Sequence, residues 1–547
     1  MLNYKLLRKW ILCTSAIFFI PNSYSQVVDQ IVPLNKTFYS TPAPGVMFIT
    51  PIQLDTASYP AALAILDEKG DPIFYKPFTG GQTGPYLPVM VTDFKIQPSG
   101  LMSYGIQKSP GNMIIYLMDT NFVVVDSIKN INDVDTDSHD FIHLPDGTFH
   151  LVGTEERIMD CSSLLTANGI AGSVNATVVG NVIQRFSADK TLEFEWKSLD
   201  YFNLSDVYSQ YFTNPNYLDH SHYNSIDIDT DGNYLLSWRH LNEVTKVDAN
   251  TGEIIWRLGG KSGDFTFEGD TMPFSAQHDA RRIANGNLTI FDNGLYNSTP
   301  GARAIEYAVD EENFVATAVW QFAEQGGLPS MFIGSNRRQS NGNTLIDWGG
   351  AFPLSESITI TEVDEAGNVV MELDFADDLF VTYRTIKEVL PFELPRPEIN
   401  CNGETNTLSA PDGYEFYEWN TGAQTQSIVV EDTGIYQVWV NQGIGYISSE
   451  TFYVDDLENV CGQLSIVNNS TQLFEIYPNP ARDKIYIGKS DHSTISAVNI
   501  YNQVGEKVVG FVRIKGNLDI SSLPSGMYFL EIIHDGQSTV QKLLISK

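Results

Sequence analysis

The order of apolar and polar residues predicts a chain built almost entirely of β-strands. Between residues 27 and 392, short runs rich in Val, Ile, Tyr and Phe are separated by Gly, Asn and Asp, and a sustained helical period is hardly seen. Apolar runs of strand length with turn residues between them are typical of antiparallel β-structure. We therefore expect an all-β protein.

One pattern recurs along this stretch in six copies. Each copy begins with a hairpin whose turn ends in glycine and continues with a hairpin whose turn carries aspartate. Six four-strand units, spaced more widely than the roughly 40–45 residues of a minimal blade, predict a six-bladed β-propeller with long loops over residues 26–393. A repeated-hairpin β-sandwich and a parallel β-helix are the competing architectures. The aspartate-bearing turns lie at residues 65–70, 116–119, 185–189, 246–250, 307–310 and 362–365.

Two further β-domains are predicted after the propeller. A stiff proline-containing segment, 394–397, precedes short alternating strands that suit a small immunoglobulin-like β-sandwich over residues 397–460. Cys401 and Cys461 bracket this segment and could form a disulfide in an oxidising compartment, although reduced or buried thiols fit the spacing nearly as well. A last β-sandwich is expected over residues 470–547.

The tail carries short phrases that point to an export signal. It opens with Tyr-Pro-Asn-Pro at 477–480, contains Gly-x-Tyr at 526–528 and closes with a Lys-containing strand at 541–545. Together these phrases resemble the C-terminal sorting domain of proteins exported by the type IX secretion system of Gram-negative bacteria. The resemblance implies the type IX machinery as a partner and export across the outer membrane, so that the protein is secreted or held at the cell surface.

The first 25 residues have the pattern of a secretory signal peptide. Lys5, Arg8 and Lys9 precede an apolar run from Trp10 to Ile20, and small and polar residues follow. This predicts entry into the periplasm before the export step. No later stretch has the roughly 18 uncharged apolar residues that a membrane span needs, so we expect no transmembrane segment.

The charge of the chain excludes one class of partner. There are 67 acidic side chains against 33 Lys and Arg, which gives a net charge of −34. Such a protein repels a phosphate backbone. We therefore expect no nucleic-acid partner.

Three histidines occupy matching positions in the repeat. His139 and His278 each stand eight residues before a turn glycine, and His222 stands ten before one. Equivalent positions of neighbouring blades lie side by side around the axis, so we expect the three imidazoles at one end of the central channel. Arg239 follows the next turn by about as many residues as His222 precedes it, which makes the two approximate cross-strand neighbours. A guanidinium beside imidazoles predicts a site for a tetrahedral oxyanion.

The same region contains an ordered set of short phrases. They are HDFIHLPDG at 139–147, DHSHYNS at 219–225, Arg239-His240, TGEIIWRLGG at 251–260, Gln277-His278, FDNG at 291–294 and RAIEY at 303–307. As a set they resemble the bacterial arylsulfate sulfotransferases, over roughly residues 40–375. The resemblance implies a six-bladed propeller that moves a sulfuryl group from a phenolic sulfate donor to a phenolic acceptor. The route is ping-pong, through a sulfohistidine, with no nucleotide donor and no cofactor.

Carried over by motif, the resemblance assigns roles to single residues. His278 would be the nucleophile, and a neutral imidazole nitrogen is able to attack sulfur and form a covalent intermediate. Asn224 and Asn293, in two of the phrases, are candidate substrate-binding residues. The residues that would surround the sulfuryl group are His139, His222 and Arg239.

Two other functions fit parts of the same pattern. A propeller with a decayed site would bind an anionic or glycan ligand at the cell surface without catalysis. Three imidazoles can also hold zinc or copper. Since the guanidinium of Arg239 would repel a divalent cation, we expect no metal.

Overall fold

The chain divides into two units. One comprises Met1–Asn400, Ser409–Ile428 and Tyr436–Phe452, and the other Cys401–Leu408, Val429–Ile435 and Tyr453–Lys547. The predicted signal peptide lies outside the described residues. The computed structural model describes residues 34–54, 60–78, 90–107, 113–295, 301–323, 327, 329–351, 358–376, 380–441, 443–461, 474–477, 481–482, 484–489, 495–502, 507–512, 518–524, 526–534 and 537–545.

Nearly all regular structure in the described residues is β-strand, which confirms the all-β prediction. The one α-helix in that part of the chain, α1, is a single turn at Ser198–Tyr201. Short 3-10 turns occur at Leu204–Asp206, Ser209–Tyr211 and Arg239–Leu241. Within the same residues, no helix has both the length and the apolar character that a membrane crossing requires.

The strands up to residue 388 are mostly joined by short turns, so neighbours in sequence pair antiparallel. They are β1 Leu34–Phe38, β2 Val46–Ile49, β3 Pro51–Gln53, β4 Ala62–Leu66, β5 Pro72–Pro77, β6 Met90–Ile96, β7 Met102–Gln107, β8 Met113–Met118, β9 Val124–Ile128, β10 Asp135–His143, β11 Phe149–Met159, β12 Ala176–Phe186, β13 Leu192–Lys197, β14 Tyr217–Asp219, β15 Tyr223–Ile228, β16 Tyr234–Trp238, β17 Glu243–Val247, β18 Ile254–Gly259, β19 Thr266–Glu268, β20 His278–Arg282, β21 Leu288–Asp292, β22 Arg303–Asp310, β23 Val315–Ala323, β24 Ser335–Arg338, β25 Thr344–Asp347, β26 Ile360–Val363, β27 Val369–Phe375, β28 Phe380–Thr382 and β29 Ile386–Glu388.

Most of these strands belong to six sheets. Five contain four consecutive strands each: β6 to β9, β10 to β13, β15 to β18, β20 to β23 and β24 to β27. Three extra strands lie against them, with β14 on β12, β19 on β23 and β1 on β27. In the sixth sheet β29 pairs antiparallel with β2, so that Ile386 lies opposite Phe48. This pairing joins the two ends of the repeated region.

The hydrophobic core lies between neighbouring sheets. Trp196 and Trp238 are buried in the cluster between β10–β13 and β15–β18, with ring centroids 5.8 Å apart. Trp256 belongs to the next cluster, with side chains of β20 to β23, and Trp348 to the one after it. Burial of each such side chain contributes about 1.5–3 kcal/mol of hydrophobic stabilisation. These contacts hold the sheets face to face.

Part of the segment predicted as immunoglobulin-like belongs to the first unit. There β36 pairs antiparallel with β5, with Ile447 opposite Phe74, and β35 and β32 continue the same sheet. The division of this segment between the two units is not predicted by the sequence. The strands from residue 400 to residue 454 are β30 Asn400–Asn402, β31 Thr407–Ser409, β32 Phe416–Trp419, β33 Ser427–Val429, β34 Gly434–Tyr436, β35 Val438–Asn441, β36 Tyr446–Ser448 and β37 Phe452–Val454.

The second unit contains a disulfide and the C-terminal strands. Cys401 and Cys461 are joined, with their Cα atoms 5.6 Å apart. One sheet has the order β38-β39-β42 and another β41-β40-β43-β44, and side chains of both contribute to one buried cluster. These strands are β38 Phe474–Tyr477, β39 Lys484–Lys489, β40 Ile495–Tyr501, β41 Lys507–Val512, β42 Leu518–Asp519, β43 Gly526–His534 and β44 Gln537–Ile545.

Candidate active site

The three histidines of matching repeat position lie at irregularities in, or directly before, the first strands of three sheets. The register of β10 shifts between Thr136 and Phe141, which brackets His139. His222 immediately precedes β15 and has a φ of +48°, and the register of β20 shifts directly after His278. Bulges of this kind redirect side chains and are common beside active sites. Each imidazole is thus presented by a local break in a regular ladder.

His278 is held by neutral groups. Its Nδ1 donates a hydrogen bond to Oδ1 of Asn293 at 2.7 Å and lies 3.1 Å from the main-chain oxygen of Ala276. The amide of Asn293 is oriented by its own bond, since Nδ2 donates to the oxygen of Ile333 at 2.9 Å. Both partners of Nδ1 are acceptors, so Nδ1 carries the proton of the neutral ring and Nε2 keeps its lone pair.

The surroundings of His278 favour its neutral form. The side chain is buried, and burial together with the nearby guanidinium of Arg239 lowers the pKa of His278 well below its ordinary value. The hydrogen bond to Asn293 opposes this shift, while His139 and His222 add to it. The other three predicted catalytic side chains are therefore all within electrostatic reach of His278.

His139 is held by a carboxylate instead. Its Nδ1 forms an ion pair with Oδ1 of Asp137, and its ring centroid lies 5.3 Å from that of His222. Burial is the largest single influence and disfavours the charged ring, but the charge and hydrogen bond of Asp137, together with the charge of Asp219, outweigh it and raise the pKa of His139 above its ordinary value. His139 is thus the imidazole that can hold a proton for delivery.

His222 has the same kind of partner, since its Nδ1 lies 2.6 Å from Oδ2 of Asp219. The ring of His240 stacks on that of His222, 4.4 Å between centroids, and its Nδ1 donates to the main-chain oxygen of Asp219 at 2.7 Å. Burial and the neighbouring His222 lower the pKa of His240 to about 3. His240, which we did not predict as a site residue, acts as a neutral support for His222.

Arg239 lies opposite His222, as the turn spacing predicts. Its main-chain nitrogen donates to the oxygen of His222 at 2.9 Å. The guanidinium donates from Nη2 to the oxygen of Met331 at 2.9 Å and lies over the ring of Tyr211, 5.2 Å from the centroid. It forms no ion pair with any described residue, so its charge is available to an anionic ligand.

The two predicted substrate-binding asparagines lie in different surroundings. Asn293 holds the ring of His278, as described above. Asn224 is buried, and its Nδ2 donates to the main-chain oxygen of Gln277 at 2.6 Å. Asn224 thus fixes the main chain just before His278, and Asn293 fixes the ring of His278.

A buried ionic network adjoins the site, and sequence reasoning missed it. Arg384 Nη1 lies 2.9 Å from Asp93 and 3.5 Å from Asp140, and its Nε lies 3.4 Å from Asp279. These three aspartates belong to the first strands of three sheets. Tyr383 donates from its hydroxyl to the main-chain oxygen of His139 at 2.9 Å. The remaining cations of the network are Lys95, Arg281 and Arg337.

Part of this ionic network could have been predicted from the sequence, because its aspartates share a repeat position. Asp140 follows His139 directly, Asp279 follows His278, and Asp93 stands at the corresponding repeat position. Burial alone would raise the pKa of Asp140, but Arg281, Lys95 and Arg384 hold it well below the ordinary value. The aspartates are therefore structural anions that fix the strands carrying the histidines.

A cavity of about 460 Å³ borders His139 and His222, together with their carboxylate partners Asp137 and Asp219. His139 and His222 form part of its wall, with Tyr217, Tyr223 and Asn181. Among the residues that the structure describes, no Lys or Arg lines it. Its acidic lining residues are Asp133, Asp135, Asp137, Glu155, Glu156 and Asp219.

One group of side chains has the spacing of a metal site. Among the described residues, only Asp219, His222 and His240 bring three potential ligand atoms within 4.8 Å of one another. Both imidazoles already use Nδ1 to bind Asp219. A metal held by all three would compete with Nδ1 of His222 for the carboxylate of Asp219, and that carboxylate already orients His222.

Similar solved structures share low sequence identity with the chain. A protein of unknown function from Bacteroides caccae is 12% identical, with 63% of this chain and 99% of that chain covered and a TM-score of 0.39. Virginiamycin B lyase from Staphylococcus aureus is 10% identical, with 76% of this chain and 98% of that chain covered and a TM-score of 0.32. PorZ, a surface component of the type IX secretion system of Porphyromonas gingivalis, is 11% identical. The match covers 89% of this chain and 68% of that chain, with a TM-score of 0.26. With TM-scores below 0.5, these likenesses carry no conclusion. No curated protein matches the chain.

Two family models match the chain. The secretion system C-terminal sorting domain matches residues 475–546, and it indicates secretion and export to the cell surface, with the secretion machinery as a partner. The arylsulfotransferase model matches residues 34–384, more than half of the 547 residues, and implies aryl substrates. This match contains all four predicted catalytic residues. The chain therefore belongs to the arylsulfotransferase (ASST) family.

Proposed function

We propose that this protein is an arylsulfate sulfotransferase that moves a sulfuryl group from a phenolic sulfate ester to a phenolic acceptor without a nucleotide donor. The observation that carries the proposal is the state of His278. Its Nδ1 proton is fixed by Asn293, its pKa is lowered by burial and by Arg239, and its Nε2 keeps a lone pair. A histidine nucleophile beside a cation with no other ion pair fits attack on an anionic ester.

We also infer the architecture that supports this site. The six sheets are the blades of a six-bladed propeller spanning residues 26–393, and the pairing of β29 with β2 closes the ring. We propose an immunoglobulin-like domain over residues 397–460, of which β32, β35 and β36 also extend the sheet of β5, and a sorting domain over residues 470–547. Closure explains how Arg384 reaches aspartates of three different sheets.

In the first half-reaction His278 Nε2 attacks the sulfur of the donor. The N–S bond forms as the S–O bond to the phenol breaks, and the electron pair leaves on the phenolic oxygen. Arg239 stabilises the charge spread over the non-bridging oxygens, by analogy with phosphoryl transfer. His139, which the carboxylate of Asp137 on Nδ1 keeps protonated, donates its Nε2 proton to the departing oxygen. The products are a sulfohistidine and a free phenol.

The second half-reaction is the reverse with another phenol. The acceptor oxygen attacks sulfur, and His139, now neutral, takes the phenolic proton. The N–S bond breaks, its electron pair returns to Nε2 of His278, and the sulfated acceptor leaves. His222 binds the sulfuryl oxygens from a position fixed by Asp219 and His240. Both histidines thereby regain their initial protonation states.

A transfer assay tests this function. Purified protein is given 4-nitrophenyl sulfate with and without phenol, and both 4-nitrophenol and phenyl sulfate are measured. The proposal expects steady release of 4-nitrophenol only when phenol is present, with one phenyl sulfate formed for each 4-nitrophenol. Steady release into water alone would indicate a sulfatase. No release with any phenol would favour a binding protein.

A further inference from the structure

A short segment connects the proposed nucleophile to Arg239 and carries two exposed apolar side chains. It comprises residues 330–333 and lies just before β24. Met331 is 41% exposed and Phe332 is 38% exposed, whereas Ser330 is buried. Single exposed apolar residues are common on protein surfaces and need no explanation. Two in succession beside a site for aryl sulfates do need one, because the aryl part of a ligand binds to apolar surface.

Both ends of the segment are bonded to Asn293. The main-chain nitrogen of Ser330 donates to the main-chain oxygen of Asn293 at 2.9 Å, and Nδ2 of Asn293 donates to the oxygen of Ile333 at 2.9 Å. The same amide accepts the Nδ1 proton of His278 through Oδ1. One residue therefore orients the nucleophile and fixes the exposed pair relative to it.

The middle of the segment is bonded to Arg239. The guanidinium donates from Nη2 to the main-chain oxygen of Met331 at 2.9 Å. Since a carbonyl oxygen lies about 2.4 Å from the Cα of its own residue, the Cα of Met331 is within about 5.3 Å of this nitrogen. The side chain of Met331 thus begins beside the group that we propose to bind the sulfuryl oxygens.

Further hydrogen bonds hold the main chain of the segment in place. The nitrogen of Met331 donates to the oxygen of Gly350 at 2.9 Å, and the nitrogen of Gly350 donates to the oxygen of Phe332 at 2.9 Å. Oγ of Ser330 also donates to the oxygen of Phe332, at 3.2 Å. The apolar pair is therefore exposed on a fixed backbone. A preformed surface of this kind binds a ligand without the entropy cost of ordering a loop.

The ring of Phe332 lies against Gly350. A Cβ added to Gly350 would come within 2.8 Å of the ring, which is closer than such contacts normally are. Gly350 does not have a left-handed φ, so the need for space, and not the backbone angle, favours glycine at this position. The glycine makes room for a large ring that nevertheless stays partly exposed.

We propose that Met331 and Phe332 form the surface on which the aryl group of the substrate packs, and that this surface favours phenols with an extended apolar ring system. The inference rests on the proposed sulfotransferase function. The sulfuryl oxygens bind Arg239 and the imidazoles, and the aryl ring lies across the exposed pair. Neither side chain takes part in the reaction, and both determine which acceptors are preferred.

The test compares two acceptors of similar acidity that differ in the size of the ring system. With 4-nitrophenyl sulfate as donor, kcat/KM is measured for phenol and for 2-naphthol. We expect 2-naphthol to exceed phenol by about fivefold or more, because its second ring buries additional apolar area. In a ping-pong scheme kcat/KM for the acceptor does not depend on the donor, so the ratio reports on the acceptor alone.

Variants locate the effect. Phe332→Ala and Met331→Ala should each lower the ratio of 2-naphthol to phenol by about twofold or more, and Gly350→Ala should lower it by displacing the ring of Phe332. Phe38→Ala removes a phenylalanine that is 44% exposed in β1, at the edge of the sheet opposite β24, and should leave the ratio unchanged. Equal values for the two acceptors, or a ratio that responds to neither Phe332→Ala nor Met331→Ala, would overturn the inference while the sulfotransferase function stands.

Binding without turnover separates this inference from the proposed function. Calorimetry on His278→Ala should show 2-naphthyl sulfate binding about fivefold tighter than phenyl sulfate, with the difference reduced in His278→Ala/Phe332→Ala. If the wild-type protein transfers no sulfate but this difference is found, the function fails and the aryl-binding surface remains. Equal affinities for the two sulfates in a protein that does transfer sulfate would contradict the inference alone.

Discussion

The two sides of the proposed site differ in what holds their side chains. His278 and Arg239 have neutral partners, namely the amide of Asn293, the oxygen of Met331 and the ring of Tyr211. His139 and His222 each have a carboxylate on Nδ1. In the mechanism that we propose, the same residue type at the same repeat position is a neutral nucleophile in one sheet and a proton carrier in another. The partner of Nδ1 decides between these roles.

Removing the neutral nucleophile should have the largest effect. His278→Ala is expected to lower kcat for transfer by about 10⁴-fold or more, because the covalent route needs its Nε2. Initial-rate measurements of phenyl sulfate formation check this. His143→Gln, which changes a partly buried histidine at the end of β10, is the control and should keep activity. Near wild-type transfer by folded His278→Ala would refute the nucleophile assignment.

Removing the carboxylate from His139 should be the next largest change. Asp137→Asn lowers the pKa of His139, so the proton for the leaving group is lost, and turnover of phenyl sulfate should fall by about 10²-fold. The loss should be smaller for 4-nitrophenyl sulfate, whose leaving group needs less help. In the wild type, activity should decline as pH rises through the raised pKa of His139, and in Asp137→Asn this decline should move to lower pH.

Asp126→Asn, which removes an exposed carboxylate paired with Lys190, is the matched control for that variant. An equal loss for both donors would argue against His139 as the proton donor. The same pH profile in Asp137→Asn and in the wild type would argue against it as well.

Placing a carboxylate on Nδ1 of His278 should raise its pKa, as Asp137 raises the pKa of His139. Asn293→Asp raises the pKa of His278, so the neutral form becomes scarcer, and transfer near neutral pH should fall by about tenfold. Activity should recover as pH rises, because deprotonation restores the nucleophile. Asn293→Ala removes the Nδ1 acceptor without adding charge, and its loss should not recover with pH. Identical profiles for the two variants would show that the charge at this position is unimportant.

Weakening the support of Arg239 should have the smallest effect. Tyr211→Leu removes the ring beneath the guanidinium, an interaction worth about threefold in an equilibrium at a partly exposed site. We expect KM for the donor to rise by about that factor with little change in kcat. Tyr201→Leu, which removes an aromatic ring stacked on Trp196, is the control. A larger loss in the control than in Tyr211→Leu would mean that packing, not the cation, is being measured.

The repeat made part of this arrangement predictable from the sequence. The all-β class follows from the alternation of apolar runs and turns, and the shared register of His139, His222 and His278 predicted that side chains from three sheets would approach one another. The turn spacing predicted that Arg239 lies opposite His222, and the main-chain bond between them agrees. These inferences use local spacing, which a sequence contains directly.

Other features depend on contacts between distant segments. Arg384 meets Asp93 across 291 positions, and nothing in the repeat register points to a residue after the last repeat. Asp137 and Asp219 were visible as residues but not as Nδ1 partners, because a bulge and a positive φ set the ring directions. The pairing of β36 with β5 was likewise missed, since main-chain edges carry no sequence signature.

The most direct test is to trap the covalent intermediate. The protein is incubated with 4-nitrophenyl sulfate in the absence of any phenol, digested under conditions that preserve N-sulfonated histidine, and examined by mass spectrometry. The account predicts a sulfuryl group on His278, its loss when phenol is added, and its absence in His278→Ala. A sulfuryl group on another residue, or transfer to phenol that proceeds with no modified His278 at any time, would contradict the central claim.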